Sequence, residues 1–318
     1  MKISNLFIKL RQGSTGYRIR QKISSWPGYQ QIPAPHSMDR IKSKARELLS
    51  LISMTLVMDR ETKLRIQTTR RLRGSEKNDV LLIGSGPSAK HLTADQVEHF
   101  QNNGGSIAVM NGFFLTELSK KITVDYYFIA DPCFWEERFL EIKTEIESYV
   151  KNSRDQIIIV QPAHLKPIVE NHGNYLFWDG RSRAGLVRSS RPDKPWGLPA
   201  SVALYAIGTL KFLGHKRLFF TGLDSSYVNH YQVNHLNYVS HSPQGQHSYD
   251  EDERTLNLSE SGSIEQKDQR PFRHLADLNF AHGVFLRDMY WLCHGYCINV
   301  GNDTTNDSAP RASLLPRV

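Results

Sequence analysis

Cysteine is scarce in this sequence, long apolar runs are absent, and several familiar phosphate and nucleophile signatures are missing. The three cysteines, Cys133, Cys293 and Cys297, cannot build a disulfide framework for 318 residues, and they fit a reducing cytoplasm. Cys293 and Cys297 have no other cysteine near them, so they read as buried thiols rather than metal ligands. No run of about 18 apolar residues occurs, which excludes an expected membrane-spanning helix. Residues 1–22 are basic but too polar for the apolar core of a signal peptide. Neither Gly-x-Gly-x-x-Gly nor a P-loop is present. The lack of a Gly-x-Ser-x-Gly elbow weakens covalent catalysis. No Asp-x-Asp stands at a strand end and the histidines are irregularly spaced, so no metal site and no required divalent ion are expected. No cofactor is expected either.

What is present is uneven in charge. Residues 1–77 carry 17 Lys and Arg against 5 Asp and Glu, while the remainder carries 23 against 27. The whole positive excess therefore lies in an N-terminal leader. An anionic membrane surface, a nucleic acid or a solvated helical arm would each account for it. Single-strand binders interleave aromatic residues with such charge, and the leader does not, so no nucleic-acid partner is expected. Residues 41–57 are apolar at helical spacing (Ile41, Ala45, Leu48, Leu49, Ile52, Leu56) with Lys42, Lys44 and Arg46 alongside. That pattern suits a basic amphipathic helix on the cytoplasmic leaflet, or a helix packed on the domain or on a second subunit of a homo-oligomer. The expected location is the cytoplasm, peripheral at the inner face of the cell membrane.

Beyond residue 77 short apolar strands alternate with helices. Strands are predicted at 80–83, 106–110, 126–130, 156–161, 175–178, 217–221 and 296–300. Helices are predicted at 93–102, 116–120, 134–150, 201–213 and 279–294. Continuous apolar strands between helices indicate an α/β, Rossmann-like fold: a mostly parallel sheet with helices on both faces. The expected organisation is a partly helical leader over 1–77, a catalytic domain over 78–305 and a flexible tail over 306–318. Residues 225–273 are polar, weakly periodic and rich in His and Tyr, which reads as a lid-like insertion.

Ligands of such sheets bind at the carboxyl ends of the strands. Five motifs fall there: Gly84-Ser85-Gly86-Pro87-Ser88, Asn111, Asp131-Pro132, Gly222-Leu223-Asp224, and residues 299–303. Two glycines in the first turn permit close approach to a ligand, and amides at a helix start attract phosphate. The same turn could be only a tight connection with Ser88 as a cap. Asn111 either closes a turn or reads a base or sugar edge. Asp131 either caps a helix or meets the ligand. His274, next to Arg273 and just before a helix, is placed to act as a general base, given an ordinary pKa of about 6.5.

These blocks, taken in order over roughly residues 78–305, resemble bacterial lipooligosaccharide sialyltransferases. They also resemble the related domain of motility accessory factors and 6-hydroxymethylpterin pyrophosphokinases. That family opens with Gly-Asn-Gly-Pro-Ser, matched by Gly84 to Ser88, and continues with Asn-x-Phe, matched by Asn111-Gly112-Phe113. Its Asn-Pro is matched by Asp131-Pro132. Its Ser-Gly helix leading to Leu-Gly-x-Lys and Gly-Ile-Asp is matched from Ser201 through Leu213-Gly214-His215-Lys216 to Gly222-Leu223-Asp224. Ser85 and Asp131 stand where the family has Asn.

The resemblance implies an inverting, metal-independent glycosyltransferase that moves a sugar from a CMP-linked donor to a cell-surface glycan or glycolipid. It implies His274 as base, with Tyr227 or Tyr231 and Arg273 stabilising the departing phosphate. Donor contacts would come from Gly84, Ser85, Gly86, Pro87, Ser88, Asn111, Asp131, Ser201, Gly222 and Asp224. The alternative is a pyrophosphokinase-like enzyme, which would need Mg²⁺ held by carboxylates such as Asp131 and Asp224.

Overall fold

The computed structural model describes residues 58–130, 134–135, 140–153, 157–180, 189–195, 201–224, 231–233, 238–241, 273–301 and 308–314. The predicted helix at 41–57 lies outside them. Helices are α1 (Arg60–Arg71), α2 (Ala94–Asn102), α3 (Leu140–Asn152), α4 (Val202–Leu213) and α5 (Leu275–Cys293). The strands are β1 (Val80–Ile83), β2 (Ser106–Met110), β3 (Tyr126–Phe128), β4 (Ile158–Pro162), β5 (Tyr175–Trp178), β6 (Leu218–Thr221), β7 (Tyr231–Val233), β8 (Tyr238–His241), β9 (Arg273–His274) and β10 (Cys297–Asn299). None of the described helices is long and apolar enough to cross a membrane.

Seven strands form one parallel sheet in the order β10-β6-β1-β2-β3-β4-β5. All four residues of β1 are buried. A strand apolar on both sides needs a layer on each face, and both layers are present. On one face α4 and α5 bring Leu204, Ile207 and Met289 against Leu82 and Phe220. On the other, Val97 of α2, Ile146 of α3 and Phe113 cover Leu81, Ile83 and Val109. The α/β, Rossmann-like expectation holds, and the sheet is wholly parallel.

Local chemistry explains the element ends. Thr93 caps α2 through a reciprocal pair with Gln96: its Oγ1 accepts from Gln96 N at 3.3 Å, and Gln96 Oε1 accepts from Thr93 N at 3.0 Å. Gly214 ends α4 with a left-handed φ of 105°, which only glycine adopts readily. Helix α5 begins at Leu275, four residues before the predicted start.

The described end of the basic leader covers the exposed edge of β5. Thr69 Oγ1 donates to Phe177 O at 2.6 Å and accepts from Phe177 N at 2.9 Å, while Arg65 Nη1 donates to Leu165 O at 2.8 Å. Ile66 packs with Ala163 and Phe177. An edge strand's free amide and carbonyl invite pairing with another chain; here a threonine hydroxyl satisfies both.

Within 225–273 the structure adds what the weak periodicity did not signal: β7, β8 and β9 form an antiparallel three-stranded sheet in that order. At the other edge, residues 308–314, expected as part of a tail, lie against β10. Asn299 N donates to Pro310 O at 2.8 Å, and Ala312 N donates to Asn299 O at 3.0 Å.

Candidate functional site

The chain steps outward from β1 through β2, β3, β4 and β5, then returns to place β6 on the other side of β1. The carboxyl ends of β1 and β6 are therefore the topological switch point, where ligands of such sheets bind. The Gly84–Ser88 and Gly222–Asp224 motifs meet there. Gly84 N donates to Thr221 O and Gly86 N to Gly222 O, both at 2.8 Å. Asp224 is buried, and its carboxylate accepts from Ser88 N at 2.7 Å and from Ser88 Oγ. Ser88 Oγ in turn accepts from Gly222 N at 2.8 Å.

Glycine is required on both loops. A Cβ on Gly84 would stand 2.3 Å from Gly222 O, and one on Gly86 would stand 2.5 Å from Asp224 Oδ2. Gly222 also has a φ of +70°. The loops touch backbone to backbone, and Asp224 ties them across 136 residues of sequence. The amides of Gly84, Gly86 and Ser88 are thus engaged inside the protein. Pro87 has no amide hydrogen, and Ser85 is the residue of this turn whose amide has no partner among the described residues.

Asn111 follows β2 with a left-handed φ of 41°. Asn tolerates that region better than most residues, and non-glycine residues held there concentrate at functional sites. Its Oδ1 accepts from Ala130 N at 3.2 Å, and Tyr127 OH donates to its carbonyl, so it joins the ends of β2 and β3. Ser201 is the N-cap of α4, yet its hydroxyl makes no capping bond.

Asp131 and Tyr227 lie outside the described residues. Tyr231, Arg273 and His274 are placed by their backbone in the small sheet. Tyr231 pairs with His241, Val239 with Arg273, and Tyr238 with His274. The backbone thus places Arg273 and His274 next to each other in β9, with Tyr231 two strands away in β7.

Two groups on the same rim contain residues that were not singled out from sequence. After β4 and β5 come His164 and buried Asp179, beside Trp178, whose ring stacks on Tyr205 at 4.6 Å. His164 is exposed; desolvation on the side of its ring that faces the protein lowers its pKa, opposed by the Asp179 charge. Burial likewise raises that of Tyr205, with Asp179 adding to it. The Trp178 indole Nε1 is buried without a hydrogen-bond partner among the described residues. Asp179 carries the same signal as Asp131, an acid just after an apolar strand, and could have been found by it. The second group is a cleft of about 560 Å³ between the Ser88 turn, the ends of β6 and β10, and residues 311–314. Among the described residues no cluster of three His, Cys, Asp or Glu is placed to hold a metal ion. Cys293 and Cys297 are buried free thiols, and burial together with Cys293 raises the Cys297 pKa.

No family model and no curated protein matches this chain. Among solved structures it is similar to the MAf glycosyltransferase from Magnetospirillum magneticum AMB-1, at 11% identity and a TM-score of 0.42. The match covers 80% of this chain and 38% of that one, so the chain spans well under half of that protein. A likeness of that size carries no argument about substrate or mechanism.

Proposed function

We propose that this protein is an inverting, metal-independent glycosyltransferase that binds a nucleotide-linked sugar, with cytidine as the base, at the β1–β6 switch point. The observation that carries the reading is the pair of glycine loops locked by Asp224, with Asn111 held in a left-handed conformation beside them. The two locked loops fix the shape of the turn, and Ser85 N and the Asn111 amide supply polar contacts to the ribose and phosphate. Asp131 and Ser201 complete the donor site in this reading.

In the reaction the acceptor hydroxyl attacks the anomeric carbon and His274 takes its proton. The bond from that carbon to the nucleotide phosphate oxygen breaks, and the electron pair leaves with CMP. Arg273 and Tyr231 neutralise the departing phosphate together with Tyr227. The acceptor is a cell-surface glycan or glycolipid, reached from the cytoplasm with the basic leader against an anionic membrane.

The pyrophosphokinase alternative needs free carboxylates for Mg²⁺. Both oxygens of Asp224 already accept hydrogen bonds from Ser88, which disfavours it. A thermal-shift panel of CMP, CDP, UDP, GDP and ATP, with and without Mg²⁺, decides between them. The proposal expects CMP or CDP to raise the melting temperature without metal. A shift confined to ATP with Mg²⁺ would establish the alternative.

A further inference from the structure

Helix α1 has two unlike faces. Its buried residues, Thr62, Ile66 and Thr69, meet Ala163 and Phe177. Arg60, Lys63, Leu64, Gln67 and Arg71 recur at the spacing of helical neighbours, and all five are exposed on the opposite face. Leu64, in the middle of them, is 52% exposed. The side chains of Arg60, Lys63 and Arg71 have no ion pair among the described residues. Neither acid of this segment answers them: Glu61 pairs with Arg65, and Asp59 caps the helix, accepting from Thr62 N at 2.6 Å. Lys120, Lys143 and Lys166, by contrast, each pair with a glutamate three or four residues away. The helix also lies beside the carboxyl rim. Thr62 Oγ1 donates to Ala163 O at 3.5 Å and Arg65 Nη1 to Leu165 O at 2.8 Å, both just past the end of β4.

We infer that the outer face of α1 is a docking surface for an anionic lipid bilayer, which rests on the reading of a membrane-borne acceptor above. Three unanswered cations attract acidic headgroups, and an exposed leucine among them gains by entering the boundary with the acyl chains. A nucleic acid satisfies the cations but not Leu64, and the face has no aromatic residue on which a base could stack. The chain before the helix has the same sign, since residues 1–59 carry 10 Lys and Arg against 3 Asp and Glu. Arg65, Ile66 and Thr69 fix α1 to the sheet. A bilayer on its outer face therefore lies beside the carboxyl rim, where the headgroup of a glycolipid meets the donor.

The test is co-sedimentation of the full chain with phosphatidylcholine vesicles, with and without phosphatidylserine. Wild type is compared with the triple variant Arg60→Gln, Lys63→Gln, Arg71→Gln. A second triple variant, Lys120→Gln, Lys143→Gln, Lys166→Gln, removes the same charge from paired lysines. Each is checked for an unchanged melting temperature. Wild type is expected to bind the vesicles that contain phosphatidylserine and not the others. The α1 variant should lose at least about tenfold in that binding, and the paired-lysine variant less than about twofold. Leu64→Ser should weaken binding with no change in charge. Equal losses in the two triple variants would overturn the surface. So would unchanged vesicle binding by the α1 variant, including the case in which that variant loses affinity for a DNA duplex instead. CMP titrated into the same three proteins keeps the two readings apart. CMP binding without vesicle binding overturns the docking surface and leaves the donor site standing, and vesicle binding without CMP binding does the reverse.

Discussion

At the β1–β6 end of the carboxyl rim, buried polar groups answer one another: Asp224 accepts from Ser88, Ser88 accepts from Gly222, and Gly84 and Gly86 donate to the facing loop. At the β4–β5 end, Trp178 Nε1 has no partner among the described residues, and His164 faces the Asp179 charge with its own pKa depressed. The same sheet thus carries a closed polar cluster and an open one. A closed cluster fixes backbone shape, which suits a surface on which a rigid nucleoside is laid. An open one keeps a spare buried donor, at a cost in stability.

Substitution should affect the two ends unequally. The largest effect is expected for Gly84→Ala, because its Cβ meets the backbone carbonyl of Gly222, which cannot swing aside as a side chain can. A loss of about 3 kcal/mol in urea denaturation is expected; a loss under about 1 kcal/mol would mean that the loops are not in backbone contact. Asp224→Ala comes next, at about 2 kcal/mol, since it strands the buried amide and hydroxyl of Ser88. At the open end, Trp178→Phe removes an unpaired donor and keeps the stacked ring on Tyr205. Relief of the unpaired donor should offset part of the cost of the smaller ring, so the loss in unfolding free energy should stay under about 1 kcal/mol. If it costs as much as Asp224→Ala, the contrast between the two ends fails.

The smallest effect is expected with pH. Burial lowers the pKa of His215, and partial desolvation lowers that of the more exposed His164. A histidine with a depressed folded pKa binds its proton better when unfolded. Stability is therefore full above about pH 6.5, the ordinary value, and falls as pH drops from there toward the folded value. Urea midpoints at descending pH should show this. His215→Phe should flatten the profile more than His164→Gln, because His215 is the more buried. An identical slope in all three proteins would sever the link to these side chains.

The parallel sheet was readable because its strands are unbroken apolar runs; β1, β2 and β5 fall on the predicted residues. The β7–β9 sheet was not, because its strands are two to four residues long and mix Tyr, His, Gln and Ser with Val. Period-two alternation has no room to appear in three residues. The strand-end position of Asp224 was equally plain in the sequence, but its bond to Ser88 joins residues 136 apart and needs the fold. Arg311, on the wall of the cleft, gave no signal, since its place comes from a single backbone bridge to Asn299.

The nucleotide platform is tested most directly by titrating CMP into wild type, Asp224→Ala and Trp178→Phe in excess EDTA, at a temperature where all three are folded. Wild type and Trp178→Phe should bind CMP alike, and Asp224→Ala should lose at least about tenfold in affinity. Unaltered binding by Asp224→Ala, or binding that appears only when Mg²⁺ is restored, would contradict the account.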